Sequence, residues 1–93
     1  MATGDAQNAY SVRFKPAAER DLKKIKDRAA LKRILAAIAD LAKDPRPPGI
    51  KALQGDASIL RMRVARYRVL YTISDTELLV LVVAVGHRRE AYR

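Results

Sequence analysis

The sequence contains no cysteine and no tryptophan, and His87 is its single histidine. Without cysteine the chain has no disulfide, no thiolate nucleophile and no cysteine-ligated metal. One histidine is too few for the usual zinc sites, which use several. The sequence also lacks a glycine-rich phosphate loop and a carboxylate dyad. We therefore expect no metal and no other cofactor.

Acidic residues are scarce: 10 Asp and Glu stand against 19 Lys and Arg, which gives a net charge of +9. Such an excess favours a polyanionic partner, and nucleic acid is the commonest one. A basic surface that only keeps the protein in solution is the plainer alternative. Hydrophobic residues make up 49% of the chain, so it is not a disordered tail.

Long hydrophobic runs are missing as well. The longest apolar run, residues 78–85, is too short to span a bilayer, and the first residues do not form a signal peptide. We therefore predict a cytoplasmic protein with no membrane partner. The 93 residues suit one domain, predicted at residues 10–93, after a small, polar and flexible N-terminal segment at residues 1–9.

Four stretches have the pattern of β-strands. Residues 9–14, 60–64 and 67–73 alternate largely between apolar and polar side chains, which is the period of a strand with one buried face. Residues 78–85 are apolar at every position, which is typical of an interior strand buried on both faces.

Two helices are predicted between the first and second of these strands. Pro16 fits the first turn of one helix, and apolar residues recur at helical spacing from residue 31 to residue 42 in the other. The second helix must end by Asp44, because the proline that follows disfavours helical geometry there. The predicted order is β-α-α-β-β-β, an α+β fold with an αα-hairpin on one face of a small, mostly antiparallel four-stranded sheet. The last strand should be interior, with the first strand at its free edge.

The second and third strands carry closely spaced arginines. If Ala65 and Arg66 form the turn between them, Arg63 lies opposite Arg68, and Arg61 lies opposite Leu70. Arginines directly opposite each other repel and cost stability. A chain that keeps such a cluster is expected to bind an anion on it.

The runs RMR, YRVLYTI and VLVVAVGHRREAYR resemble the last part of RelE-type toxins from bacterial toxin–antitoxin pairs. That family has a basic pair on one strand, a following YR-hydrophobic-hydrophobic-Y strand, and a closing VG-basic-R signature with a tyrosine near the end. The resemblance extends from Tyr10 to Arg93. It implies a small α+β ribonuclease that cuts messenger RNA in the ribosome and is silenced by an antitoxin.

The resemblance also implies a site. Arg61 and Arg63 match the basic pair, and Arg68 matches the strand arginine. Arg88 and Tyr92 match the arginine and the tyrosine of the closing signature. Several family members have lysines where this chain has its basic pair, and an arginine is a poor general base because it stays protonated.

Metal-independent cleavage of RNA needs a base for the 2′-hydroxyl, stabilisation of the charged phosphorane and an acid for the leaving 5′-oxygen. The arginines suit the phosphorane, because a guanidinium donates two hydrogen bonds to a phosphate. His87 is the candidate base, since histidine is the side chain that ordinarily titrates near neutrality; a structural histidine at a strand end is the alternative. Tyr92 either orients or protonates a reacting oxygen, stacks on a base, or only packs. Arg66, Arg89 and Arg93 are expected to contact the RNA backbone.

Together with these residues, the resemblance implies an endoribonuclease that cleaves mRNA in the ribosomal A site, contacts ribosomal RNA and blocks translation. Two alternatives stay open. One is a toxin of the same fold that is not a nuclease, such as a ParE-like gyrase inhibitor. The other is a noncatalytic basic module that binds RNA or protein, which the absence of lysines from the basic pair favours.

The sheet face away from the helices predicts a protein partner. A hairpin closed by residues 75–76 places Tyr71 opposite Val80. The core face of the last strand would then contain Leu78, Val80, Val82 and Ala84. Its other face would present Leu79, Leu81, Val83 and Val85. Two helices can cover only one face of so small a sheet, so we expect a cognate antitoxin with apolar and acidic residues on the other. The predicted antitoxin-binding residues are Leu70, Leu79, Leu81 and Val83.

Overall fold

The computed structural model describes residues 9–87, which form two helices and five strands. In chain order the elements are β1 (Ser11–Phe14), α1 (Pro16–Lys23), α2 (Arg28–Asp40), β2 (Lys51–Leu53), β3 (Asp56–Val64), β4 (Tyr67–Ser74) and β5 (Leu79–His87). The predicted α+β class is confirmed. The flexible segment predicted at residues 1–9 lies, except for Ala9, outside the described residues.

The strands form one sheet in the order β1-β5-β4-β3-β2. Strand β1 pairs with β5 in parallel, and the other three pairs are antiparallel. The interior position of the last strand and the place of the first strand at its edge are therefore confirmed.

The prediction of four strands was wrong by one, because Lys51–Leu53 is a short edge strand that pairs with β3. Gly55 in the turn between them has a φ of +95°, a conformation that glycine adopts without steric cost.

Local signals explain where the helices begin and end. Pro16 begins α1, where its missing N–H is not needed. Asp27 caps α2, because its side chain accepts a hydrogen bond from the Ala30 backbone N–H at 3.1 Å. Helix α2 ends at Asp40, before Asp44 as predicted.

The core lies between the helices and one face of the sheet. Helix α1 packs mainly over β5, whereas α2 packs against β3. The buried helical contribution consists of Ala18, Ile34, Ile38 and the following Leu41. The buried strand contribution consists of Met62, Val64, Val69, Tyr71, Val80, Val82 and Val85. Both helices therefore cover the same face of the sheet, as predicted.

The proline-rich connector after α2 is held by side chains of the sheet. The Tyr71 hydroxyl donates a hydrogen bond of 2.8 Å to the Pro45 carbonyl, and burial raises the pKa of Tyr71 to about 12. Arg46 donates to both carboxylate oxygens of Asp75, at 3.2 and 3.0 Å, and the Tyr10 hydroxyl donates to the same carboxylate at 2.6 Å. These bonds hold the pKa of Asp75 below its usual value.

The register predicted for the last hairpin was wrong. Its turn contains residues 75–78 instead of two residues, so Tyr71 lies opposite Val82 and not Val80. The shift is an even number of residues, so Val80 and Val82 still point into the core. Leu78, which was predicted to be core, lies in the turn at a φ of 53° and is 46% exposed.

A β-bulge near the end of β5 changes which face of the sheet the following side chains occupy. Tyr71 pairs with Val82 and Leu70 pairs with Ala84, so Val83 has no partner across the ladder. Beyond the bulge Val85 is only 4% exposed, and Ala84 is paired with Leu70. The predictions that Ala84 faces the core and Val85 faces away from it were therefore wrong.

The N–H of Val85 shows how α1 is fastened to the sheet. The pairing of β1 with β5 ends at Phe14 and Val82, and the chain then turns into α1. Asp21 of that helix accepts a hydrogen bond from the Val85 backbone N–H at 3.0 Å. Beyond Val82, β1 no longer pairs with β5, and the Asp21 carboxylate accepts the hydrogen bond that a neighbouring strand would otherwise accept. This bond fixes α1 over the end of β5.

Candidate functional site

The arginines of the middle hairpin have the predicted arrangement. Arg63 lies opposite Arg68, and Arg61 lies opposite Leu70. Met62 and Val64 alternate with these arginines and are buried in the core. The arginines therefore extend from the face of the sheet that the helices do not cover.

A basic cleft of about 390 Å³ lies on this face, lined by Gly49, Lys51, Arg61, Arg63 and Arg68. We call it the basic cleft. Its cations form two cross-strand pairs, Lys51 with Arg61 and Arg63 with Arg68. The pairs lie two residues apart along β3, which is about 7 Å. None of these lining residues is acidic, so the cleft is suited to a polyanion.

Burial differs among these cations. Arg61 and Arg68 are half-buried, whereas Arg63 and Lys51 are exposed. Long basic side chains commonly pack their aliphatic stems on the protein and keep their charges in water. The two half-buried arginines are therefore held more firmly than the exposed cations beside them. A guanidinium in a fixed position is well suited to bidentate hydrogen bonding with a phosphate.

Lys51 was not predicted as a site residue. Residues 51–56 were not assigned to any of the predicted strands, so Lys51 was given no cross-strand partner. A usable signal was present, because Gln54 and Gly55 separate two short stretches with strand character. A hairpin interpretation of that stretch brings Lys51 close to Arg61, where the structure has it.

His87 is not brought to the basic cleft. It lies opposite Tyr67, and the two rings meet edge to face with their centroids 5.8 Å apart. Both rings line a separate pocket of about 210 Å³ together with Asp21 and Lys24 of the helical layer. His87 therefore points to the helix-covered side of the sheet. This position does not support the role as a base that the sequence suggested.

Of the remaining predicted RNA-binding and catalytic residues, the structure describes one. Arg66 is exposed in the turn that joins β3 to β4, close to the basic cleft along the chain. Four others lie outside the described residues: Arg88, Arg89, Tyr92 and Arg93. The roles of these four residues stay predictions.

The residues predicted to bind an antitoxin occupy the same face as the basic cleft. Leu79, Leu81 and Val83 of β5 are half-buried, and Leu70 is 7% exposed. Leu81 lies between Arg13 of β1 and Thr72 of β4. An incompletely buried apolar strip therefore runs beside basic side chains, while Leu70 has little surface left to offer a partner.

Two further features were sought in residues 9–87, namely clusters of metal-ligating side chains and long apolar helices. In that part of the chain no group of three or more His, Cys, Asp or Glu side chains is arranged to hold a metal ion. No helix in the same range is both long and apolar enough to cross a membrane.

Comparison with known proteins identifies the family. Residues 12–92 match the sequence model described as the ParE toxin of the type II toxin–antitoxin system parDE. The chain belongs to this toxin family. It is also 34% identical to toxin RelG of Mycobacterium tuberculosis over 84 residues, which cover 90% of this chain and 97% of RelG. The resemblance to toxins of the RelE/ParE superfamily is confirmed.

Solved structures of RelE/ParE toxins share the fold. A chain of the toxin–antitoxin complex RelBE2 from Mycobacterium tuberculosis superposes with a TM-score of 0.72 at 35% identity, over 87% of this chain and 93% of that one. The isolated Escherichia coli RelE toxin superposes with a TM-score of 0.72 at 23% identity, over 89% of this chain and 90% of RelE. At the lower identity the similarity shows the fold alone.

Proposed function

We propose that this toxin is a metal-independent endoribonuclease that cleaves mRNA on the ribosome and so blocks translation. The observation that carries the proposal is the basic cleft, in which four cations line a depression on the open face of the sheet. RNA is a polyanion, and cleavage of its backbone adds further negative charge at phosphorus. The target also implies that the toxin acts in the cytoplasm, among ribosomes.

Charge stabilisation is the contribution that these side chains can supply best. In the proposed reaction the 2′-oxygen attacks phosphorus, and the phosphorane gathers charge on its nonbridging oxygens. Arg61 and Arg68 are half-buried and begin from restrained positions, so they lose little freedom when they bind those oxygens. Arg63 completes the set from β3, where it lies directly opposite Arg68. In the proposal Arg88 and Tyr92 also take part in the reaction, as the family signature implies.

The test is translation in a reconstituted system with purified ribosomes and a defined mRNA. The toxin is first treated with EDTA and desalted, so that weakly held metals are removed without dissociating ribosomes. New mRNA 5′ ends that require the toxin would support the proposal. Arg68→Ala should reduce their rate of formation by about 10²–10³-fold, the usual effect of losing one charge donor at a transition state. Lys32→Ala, an exposed change on α2, serves as the matched control.

Gyrase inhibition is the second candidate function. It is favoured by one observation, namely that the matching family is described as the ParE toxin of the parDE system. The same preparation should therefore be assayed with gyrase and supercoiled DNA. Gyrase-dependent DNA breaks with intact mRNA would replace the nuclease proposal, whereas RNA binding without cleavage would favour a noncatalytic module.

We also propose that a cognate antitoxin covers the open face of the sheet. The family belongs to two-protein systems, and the related RelBE2 structure is described as a toxin–antitoxin complex. The apolar strip of β5 lies on the same face as the basic cleft. A partner with apolar anchors and acidic side chains would fit both, and it would compete with RNA for the same cations.

A further inference from the structure

The basic cleft contains one side chain that differs chemically from its neighbours. Three of its cations are guanidinium groups, and the fourth, Lys51, is an amine. A guanidinium holds its proton under all ordinary conditions and exchanges it poorly. A lysine ammonium is a much stronger acid than a guanidinium and is still protonated near neutrality.

Cleavage of RNA requires a proton for the leaving oxygen. When the 2′-oxygen forms its bond to phosphorus, the bond from phosphorus to the 5′-oxygen breaks, and that oxygen leaves with an electron pair. Protonation during this step commonly accelerates such reactions by about 10²–10⁴-fold. The structure places His87 on the other side of the sheet, so it does not line the cleft where this proton is needed.

We propose that Lys51 is the general acid of this toxin. The inference rests on the proposed ribonuclease function and adds one residue to it. The Lys51 ammonium donates its proton to the departing 5′-oxygen, while the 2′-hydroxyl loses its proton to water and the product ends in a 2′,3′-cyclic phosphate. The neutral amine then regains a proton from solvent, so no other reactant is consumed.

The position of Lys51 suits an acid that acts next to arginines which bind the phosphate. It lies opposite Arg61 on the edge strand, whereas Arg63 and Arg68 form the other pair about 7 Å farther along β3. A phosphate held by the arginines can thus have an amine at its flank. Lys51 is exposed in the free protein, so its side chain is able to reach a bound substrate.

Lys51→Arg is the decisive variant, because it keeps the positive charge and removes the acidic amine. We expect it to bind mRNA-loaded ribosomes with wild-type affinity and to cleave about 10²–10⁴-fold more slowly. Lys51→Gln removes both properties and should in addition weaken binding. Lys32→Arg on α2 is the matched control, and thermal unfolding of each variant checks that the fold is kept.

A sulfur-substituted substrate tests the acid role directly. The probe is a short synthetic mRNA in the ribosomal A site, with sulfur in place of the 5′-oxygen at the cleaved linkage. A thiol has an ordinary pKa of about 8.5, so a thiolate leaves without needing a proton. On this substrate Lys51→Arg should cleave as fast as the wild type, although it is slow on ordinary RNA.

The outcomes separate this inference from the function on which it rests. Wild-type cleavage of ordinary RNA by Lys51→Arg would show that charge alone suffices and would overturn it. A slow variant that the sulfur substrate does not rescue would also overturn it, because the defect would then lie elsewhere. If the wild type cuts neither RNA, the proposed nuclease function itself fails, and the inference fails with it.

Discussion

Arg63 on β3 lies directly opposite Arg68 on β4, so two guanidinium groups of neighbouring strands face the same cleft. Like charges in this arrangement destabilise a sheet by roughly 0.2–1 kcal/mol. We therefore expect Arg63→Gln to raise the free energy of unfolding by less than about 1 kcal/mol while it slows cleavage. Urea denaturation and the ribosome assay measure the two effects on the same preparation.

The control for this prediction is Arg63→Lys, which keeps the charge and should keep the wild-type stability. A loss of stability in Arg63→Gln would contradict the interpretation. It would mean that Arg63 contributes to the fold and is not retained for its charge at the site.

His87 is predicted to be a packing residue. Its ring meets that of Tyr67 edge to face, a contact worth about 0.5–1.5 kcal/mol beyond simple burial. His87→Phe keeps a ring and removes both nitrogens, so we expect wild-type cleavage, whereas His87→Ala should lower stability. If His87→Phe instead slows cleavage by about 10²–10⁴-fold and flattens the pH profile near neutrality, His87 is the base after all.

The Tyr71 hydroxyl is predicted to stabilise the connector after α2. Tyr71→Phe removes the bond to the Pro45 carbonyl and leaves a buried acceptor unsatisfied, which costs about 1–3 kcal/mol. Urea denaturation measures this loss. Tyr67→Phe, on the same strand, is the comparison and should cost less because Tyr67 is only partly buried. Equal losses in both variants would argue against a special role for the connector.

The link between Arg46 and Asp75 should depend on pH. The bonds from Arg46 and then from Tyr10 lower the pKa of Asp75 in the folded state, so its stabilising effect is present above the unfolded pKa of about 4. That effect is lost as the pH falls through the lower, folded pKa. In a double-mutant cycle with Arg46→Gln and Asp75→Asn, the coupling should therefore be constant near neutrality and vanish in acid. Coupling that stays undiminished as Asp75 becomes protonated would contradict this origin.

The middle hairpin could be predicted from the sequence because two independent patterns agree there. Alternation fixes which side chains are buried, and a two-residue turn at Ala65 and Arg66 fixes which residues lie opposite each other. Arg61, Arg63 and Arg68 were placed correctly for that reason. The family resemblance gave the same residues by another route.

The last hairpin could not be predicted in the same way. Its longer turn contains Leu78 at a φ of 53°, where a glycine or asparagine would have given a signal. The bulge at Val83 lies in a run of apolar residues, and alternation carries no information in such a run. Because of that bulge, Val85 points into the core and not away from it, as had been predicted. Lys51 was not predicted as a site residue for a different reason, because its strand is only three residues long.

The final prediction concerns the antitoxin. Leu81 lies beside Arg13 on the open face of the sheet and is only half-buried in the free chain. Leu81→Glu should therefore leave the fold largely intact. It should strongly weaken antitoxin binding, because it removes an apolar contact and places a carboxylate before an acidic partner. Titration calorimetry with the purified cognate antitoxin measures the affinity, and circular dichroism confirms folding.

Two comparison variants locate the effect on this face. Leu35→Glu changes a leucine that is 44% exposed on α2, so it alters charge equally but should leave antitoxin binding unchanged. Leu81→Ala removes only the apolar contact and should weaken binding less than Leu81→Glu, since no like charge is added. If Leu81→Glu unfolds the isolated protein while Leu81→Ala binds normally, the strip is ordinary core. Equal weakening by Leu35→Glu would instead show that the antitoxin responds to net charge and has no preference for the open face of the sheet.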